Sequence, residues 1–133
     1  MARMIFINLP VTDLAASRRF YTGLGFAINE TFSDEHTHSM VISDTITVMV
    51  MEREKFASFI TTSIANPRQT TQVLNALSAE SREEVDSLMA KALANGGQDY
   101  REPQDEGPMY GRAFTDPDGH VWELVYMDMS QVG

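Results

Sequence analysis

The chain contains no cysteine among its 133 residues. This absence excludes disulfide bonds, thiolate zinc sites and cysteine nucleophiles. What remains for catalysis or binding is histidine, carboxylate and hydroxyl chemistry. The length predicts one domain over residues 1–133, which buries roughly two thirds of its unfolded surface and needs no covalent cross-link.

Positive charge is scarce as well, because 10 lysine and arginine residues face 19 aspartates and glutamates, for a net charge of -9. Such a surface repels a phosphate backbone and an anionic bilayer, so we expect neither nucleic acid nor membrane as a partner. The apolar start of the chain, Met1–Ile7, is too short for a signal-peptide core or a membrane span. We therefore expect a soluble cytoplasmic protein.

The first half of the chain shows the element order β, α, β, β, β. Asp13 is placed to cap the helix, and Gly23 and Gly25 supply its end. Alternating apolar residues and turn signals delimit the strands. The predicted elements are a strand over Met4–Leu9 stopped by Pro10, a helix over Leu14–Leu24, and strands over Phe26–Phe32, His38–Ile42 and Thr45–Met51.

The second half repeats this order. Its helix opens at Ser81, which stands at capping-box spacing from Glu84, and apolar residues at i, i+3, i+4 and i+7 predict one buried face. Asn95-Gly96-Gly97 ends the helix. The predicted strands are Gln72–Ser78, Gln98–Glu102, Tyr110–Thr115 and His120–Met127.

The two halves match element by element, which an internal duplication explains better than chance. Their last two strands turn at matching places, at Ser43-Asp44 and at Asp116-Pro117-Asp118-Gly119. The predicted boundaries are a first repeat over about 3–52 and a second over about 71–129. Between them, about 53–70 shows no sustained period and is predicted as a linker with room for a short helical turn.

Three motifs together resemble those of the vicinal oxygen chelate superfamily, which includes glyoxalases, bleomycin resistance proteins and extradiol dioxygenases. The resemblance spans nearly the whole chain and implies an α+β fold, with two βαβββ repeats whose eight strands form a cup, often in a homodimer. Because this fold serves several reactions, the reaction type stays open. The motifs are Leu9-Pro10-Val11-Thr12-Asp13-Leu14 before a helix with Phe20-Tyr21, the helix end Gly96-Gly97, and Phe114-x-Asp116-Pro117-Asp118-Gly119-His120-x-Trp122-Glu123-Leu124.

The resemblance also implies a divalent metal held in the cup by one His, Gln or Glu from the first strand and one from the last strand of each half. Such ligands suit Fe, Mn, Ni or Zn. In this chain only Glu123 retains a ligand side chain, and Asn8 is at most a weak substitute for Phe6. The metal site is thus expected to be degenerate, with no cofactor required, although a divalent metal stays possible. The four family positions fall on Phe6, Val48, Leu74 or Asn75, and Glu123.

Glu123 is the candidate catalytic residue. In an apolar cup, burial would raise its pKa unless an arginine or Asn8 hydrogen-bonds it, and it would then serve as acid, base or ligand anchor. The alternative is an idle carboxylate, solvated or paired with Arg112. The candidate ligand-binding residues are Asn8, Phe6, Val48, Asn75, Tyr110, Arg112 and Trp122, with core packing as the alternative for the aromatic side chains.

The pair His36 and His38 also has the composition of a small metal site, but an exposed loop and the start of a strand explain it better. The leading hypothesis is a metal-poor superfamily member that binds a small organic molecule in the cup of a homodimer. The alternative is a metal-dependent glyoxalase-like lyase using Glu123, and a third possibility is an interaction protein with a filled cup. Whether the protein is an enzyme stays open.

Overall fold

The computed structural model describes residues 2–131, and the chain divides into two units, one up to Asn66 and one from Pro67 onward. Each unit holds one sheet, with four strands in the first unit and five in the second. The first unit follows the order β, α, β, β, β, and the second follows the same order with one additional strand, so the described residues hold nine strands and not the predicted eight. The predicted α+β class and the repeated arrangement of one helix and one sheet are confirmed. No helix within residues 2–131 is both long and apolar enough to cross a membrane.

The first unit builds a four-stranded sheet in the order β1-β4-β3-β2. Strand β1 runs parallel to β4, and the other pairs are antiparallel. A short 3-10 turn at Glu30–Phe32 joins β2 to β3. The elements are β1 (Ile5–Val11), α1 (Leu14–Gly23), β2 (Ala27–Ile28), β3 (Thr37–Val41), β4 (Ile46–Glu52) and α2 (Arg53–Ala57).

The core of the first unit lies between α1 and the sheet. Asp13 starts α1 as predicted, because its Oδ1 accepts a hydrogen bond from the backbone N–H of Ala16 at 3.0 Å. Phe20 and Tyr21 are fully buried and meet edge to face, with their ring centroids 5.0 Å apart. Helix α1 therefore covers one side of the sheet only, and the short helix α2 contacts β1 and β4.

The second unit builds a five-stranded sheet in the order β5-β9-β8-β6, with β7 also paired to β8. Helix α3 begins after Ser81, whose Oγ accepts from the backbone N–H of Glu84 at 3.0 Å. The Glu84 carboxylate in turn accepts from the backbone N–H of Glu80. The elements are β5 (Asn75–Ala79), α3 (Arg82–Ala94), β6 (Gln98–Asp99), β7 (Gln104–Glu106), β8 (Met109–Thr115) and β9 (Val121–Met127).

The Asp-Pro-Asp-Gly turn between β8 and β9 is organised by Asp116. Its buried Oδ1 accepts the backbone N–H groups of Asp118, Gly119 and His120 at 3.0, 3.0 and 2.9 Å. Gly119 has a φ of +101 degrees, and a Cβ there would lie 3.1 Å from the Arg68 side chain. The turn therefore sets where β9 begins, and with it the position of Glu123.

Several predicted boundaries are wrong, each for a local reason. Strand β1 continues through Pro10. Proline has no backbone N–H to donate, which an edge strand tolerates because only one of its sides is paired within the sheet. The predicted strand Phe26–Phe32 is only two residues of β2 followed by the 3-10 turn. Strand β6 is likewise short, and β7 was missed because its residues Gln-Asp-Glu have low β propensity.

Candidate functional site

Each sheet has two faces that differ in what covers them. We call the face packed on α1 or α3 the helix face and the other the open face. In the first unit β1 and β4 pair in parallel with Asn8 opposite Met49, so these two side chains share the open face. Their neighbours Leu9 and Val50 are buried on the helix face. This alternation decides which residues are available to a ligand.

A cavity of about 650 Å³ lies on the open face of the first unit. Its volume falls within the roughly 300–1,000 Å³ that is usual for small-molecule sites. We call it the first-unit pocket. Strands β1, β3 and β4 form its floor, and α2 with the residues that follow it and the 3-10 turn form its walls; its lining is Asn8, Phe32, Asp34, Thr37, Met49, Met51, Lys55, Phe56, Phe59 and Ile60.

Most of this lining is apolar, and its polar groups are few. The Asn8 amide donates to the backbone carbonyl of Phe6 at 3.3 Å, which leaves its oxygen available. At the rim, Lys55 Nζ lies 3.9 Å from Asp34 Oδ2. The backbone N–H of His36 donates to Asp34 and lowers the pKa of that carboxyl below its usual value. The pocket thus combines apolar walls with the Asn8 amide, and its rim carries one positive and one negative side chain.

The open face of the second unit carries Glu123. Its side chain is 18% exposed, and its Oε2 accepts a hydrogen bond from Arg101 Nη2. Arg101 also donates to Gln104 Oε1 at 3.3 Å. The pairing with Arg112 that was considered from the sequence is wrong, since the partner is Arg101.

Val48 was matched to Glu123 in the predicted overlay of the repeats, and this register is wrong by one residue. The two turns are closed by equivalent bonds, from Ile42 N to Ile46 O and from Asp116 N to His120 O. Counting three residues on from each turn end gives Met49 and Glu123. Val48 instead matches Trp122.

The structure therefore moves Val48 and Trp122 out of the ligand-binding set. Their side chains are 0% and 1% exposed, and the strand register places both on the helix face. Asn75 is also corrected, because it pairs with Trp122 and so lies on the helix face. Its neighbour Ala76 is the residue that pairs with Glu123.

Tyr110 and Arg112 are corrected for the same reason. The Tyr110 hydroxyl donates to Asp86 of α3 at 2.6 Å, which raises the pKa of Tyr110. Arg112 reaches Asp86 and Asp99 at 3.4 and 3.3 Å. These side chains bond β8 to α3 and to the neighbouring strand β6, and they do not share a face with Glu123.

The remaining ligand-binding candidates, Asn8 and Phe6, lie on the open face of the first sheet. Asn8 lines the first-unit pocket, and Phe6 lies two residues before it on the same face, 55% exposed. His36 is exposed, with its Nδ1 3.3 Å from Glu52, whereas His38 projects from β3 to the helix face. The two histidines thus do not converge on one site, which agrees with their interpretation as a loop and a strand start.

A divalent metal does not fit the residues at the four family positions. In the first half these are Phe6 and Met49, which offer an aromatic ring and a soft thioether. In the second half they are Leu74 and Glu123, and the carboxylate is already paired with Arg101. The hard N and O ligands that a divalent cation needs are therefore reduced to this one paired carboxylate. Within the described residues 2–131, no group of three or more His, Asp or Glu side chains is placed to hold a metal ion.

Two parts of the site were missed from the sequence. The segment predicted as a linker supplies one wall of the pocket through α2, and its signal was the spacing of Phe56, Phe59 and Ile60 at i, i+3 and i+4. Arg101 was missed because it reaches Glu123 from 22 positions away. No local pattern predicts such a contact.

Two duplicated βαβββ units with these open faces define the class of protein. A family model, the Glyoxalase/Bleomycin resistance protein/Dioxygenase superfamily, matches residues 3–124. The chain therefore belongs to this superfamily, the one its motifs resemble. No curated protein matches the chain.

Solved structures show the same fold. A hypothetical protein from S. aureus has 31% sequence identity and a TM-score of 0.79, covering 95% of this chain and 94% of that chain. A glyoxalase-related enzyme from Fulvimarina pelagi has 25% identity and a TM-score of 0.77, covering 95% and 88%. The fosfomycin resistance protein FosX from Listeria monocytogenes has 19% identity and a TM-score of 0.69, covering 98% of each chain. The similarity to FosX concerns the fold alone.

Proposed function

We propose that this protein binds a small, largely apolar organic molecule in the first-unit pocket and does so without a catalytic metal. The observation that carries the proposal is the cavity of about 650 Å³ between the open face of the first sheet and α2. A drug-sized molecule needs a space of this order. The family membership adds that the same fold accommodates small molecules in other members.

The lining decides the class of molecule. Met49 and Met51 present flexible, polarisable thioethers, which adapt to aromatic and irregular apolar shapes. Phe56 and Phe59 add aromatic walls, and Phe59 is 69% exposed, so it has apolar surface to bury on a ligand. Asn8 and Thr37 are the polar side chains on the floor. We therefore expect ligands with an apolar body and a hydrogen-bonding group.

Methionine-methyl NMR tests the proposal directly. The nine methionines give separate probes, of which Met49 and Met51 line the pocket and Met89 is buried in α3. Titration with a panel of aromatic and aliphatic fragments is expected to shift the signals of Met49 and Met51 and leave that of Met89 in place. A panel that moves no pocket methyl would contradict the proposal.

A pair of tryptophan variants, one inside the pocket and one outside it, tests the position of the binding site. Met49→Trp places a larger ring in the cavity and is expected to weaken fragment binding at least about tenfold, a loss of roughly 1.4 kcal/mol. Met127→Trp changes an exposed methionine of β9, outside the pocket, and is expected to leave the affinity unchanged. Equal affinities of the two variants would overturn the assignment of the pocket.

The alternative function is a metal-dependent glyoxalase-like lyase. The one observation in its favour is Glu123, the ligand residue retained at a family position. Its partner Arg101 opposes it, since a carboxylate already held by a guanidinium is a poor ligand for a cation. Lyase activity that depends on added metal and is lost in Glu123→Gln would establish the alternative.

Homodimerisation and a cytoplasmic location are parts of the same proposal. Strand β1 is a sheet edge, and Ile5 and Phe6 at its start are 54% and 55% exposed. Exposed apolar side chains beside an unpaired strand edge favour association with another chain. Light scattering coupled to size exclusion is expected to give twice the mass of the 14.9 kDa chain.

A further inference from the structure

Glu123 is far less exposed than Asp105 and Asp86, two other carboxylates of the second unit that pair with an arginine. Its side chain is 18% exposed, whereas Asp105 and Asp86 are 56% and 55% exposed. On the open face its register neighbours are Ala76 and Ala113, which carry no polar side-chain atom. A carboxylate in these surroundings needs a compensating positive charge.

Arg101 supplies that charge from the segment between β6 and β7. Its side chain is 29% exposed, and its Nη2 bonds both Glu123 and Gln104. Its Nε is buried and has no hydrogen-bond partner among the described residues. In the position from which Arg101 reaches Glu123, its Nε therefore makes no hydrogen bond with the described residues.

We propose that Arg101 is a built-in counter-ion that occupies the place on Glu123 where metal-holding members of the superfamily put a divalent cation. A guanidinium stays charged at every physiological pH, so it compensates the carboxylate permanently. A divalent cation approaching Glu123 meets a like charge and has to break the ion pair. The proposal is independent of the first-unit pocket, because it concerns the second unit alone.

A double-mutant cycle tests whether the two charges depend on each other. Arg101→Gln leaves an uncompensated carboxylate and is expected to lower the folding equilibrium constant about tenfold or more. Adding Glu123→Gln to this variant removes the stranded charge and is expected to recover stability. Urea unfolding with a chelator present measures all four proteins. Additive effects of the two substitutions would overturn the proposal.

Paramagnetic broadening by Mn²⁺ tests the place of the cation. In Arg101→Gln, substoichiometric Mn²⁺ is expected to broaden the backbone amide signals of Ala76, Ala113 and Glu123. The unchanged protein and the Arg101→Gln/Glu123→Gln double variant are expected to show no broadening at these amides. Equal broadening in the unchanged protein, or none in Arg101→Gln, would contradict the proposal.

Two further variants guard against a general effect of charge or of misfolding. Arg101→Lys keeps a cation on the same segment and is expected to stay silent to Mn²⁺ at Glu123. Arg82→Gln removes an arginine that pairs with Asp105 elsewhere in the second unit, and it is expected to give no broadening at Glu123. Broadening at Glu123 in Arg82→Gln would show that lost positive charge alone attracts the metal and would overturn the role of Arg101.

Discussion

Single side chains decide how the open faces of the two sheets differ. Met49 and Glu123 occupy equivalent positions of the repeat, one a soft apolar side chain and the other a carboxylate. Met49 helps to line a cavity, whereas Glu123 is tied to Arg101. The residue type at this one position therefore differs between an apolar side chain in a pocket and a carboxylate in an ion pair.

The burial of His38 predicts a pH dependence of stability. Desolvation lowers the pKa of His38, and the Arg18 charge lowers it further, against the opposing effects of Glu30 and Asp34. The unfolded chain therefore takes up the proton at higher pH than the folded one. The stability that neutral His38 confers is present above about pH 6.5 and is lost as the pH falls through the folded pKa.

We expect His38→Gln to flatten the fall in unfolding free energy below about pH 6.5, because the proton uptake on unfolding is removed. Urea unfolding at several pH values measures this slope for the two proteins. The same slope in His38→Gln as in the unchanged protein would contradict the burial argument.

The corrected register predicts unequal costs for two neighbouring substitutions. Val48→Ala removes two fully buried carbons and is expected to cost about 2 kcal/mol of unfolding free energy. Met49→Ala shortens a half-buried side chain that lines a cavity and is expected to cost about 1 kcal/mol or less. A larger loss for Met49→Ala would favour the register that places Val48 on the open face.

Among the secondary-structure elements, the starts of the helices are determined by residues that are close in sequence. Asp13 and Ser81 cap α1 and α3 as their patterns predict, because a cap depends on a side chain and backbone N–H groups three positions on. Ser81→Ala is expected to lower the unfolding free energy by about 1 kcal/mol.

The control for the cap is Ser87→Ala, which changes an exposed serine inside α3 and is expected to alter stability by no more than about 0.5 kcal/mol. Thermal or chemical unfolding of the two variants measures the difference. Equal losses would mean that Ser81 does not act through the cap.

The strands show where sequence reasoning stops. The order of the strands was predictable from the sequence. The face on which each side chain lies was not, because a shift of one residue moves every side chain to the other side of the sheet. That shift placed Val48 and Asn75 in the site and left Met49 out. Arg101 depends on a contact between distant segments, which no periodicity within either segment predicts.

Across the whole molecule, the two units carry different side chains on the open faces of similar sheets. The first half offers the first-unit pocket, and the second half offers a carboxylate compensated by an arginine. Of the hard ligands that a divalent cation requires, the family positions keep only Glu123, which is paired with Arg101. We therefore propose ligand binding without a metal as the activity of this protein.

Elemental analysis of untagged protein, dialysed in turn against Mn, Fe, Ni and Zn, shows whether the chain binds a metal. Glu123→Gln is the matched variant, since it removes the one retained ligand side chain. We expect far less than one metal per chain and no difference between the two proteins. About one metal per chain, lost in Glu123→Gln, would contradict this expectation and establish a metal site at Glu123.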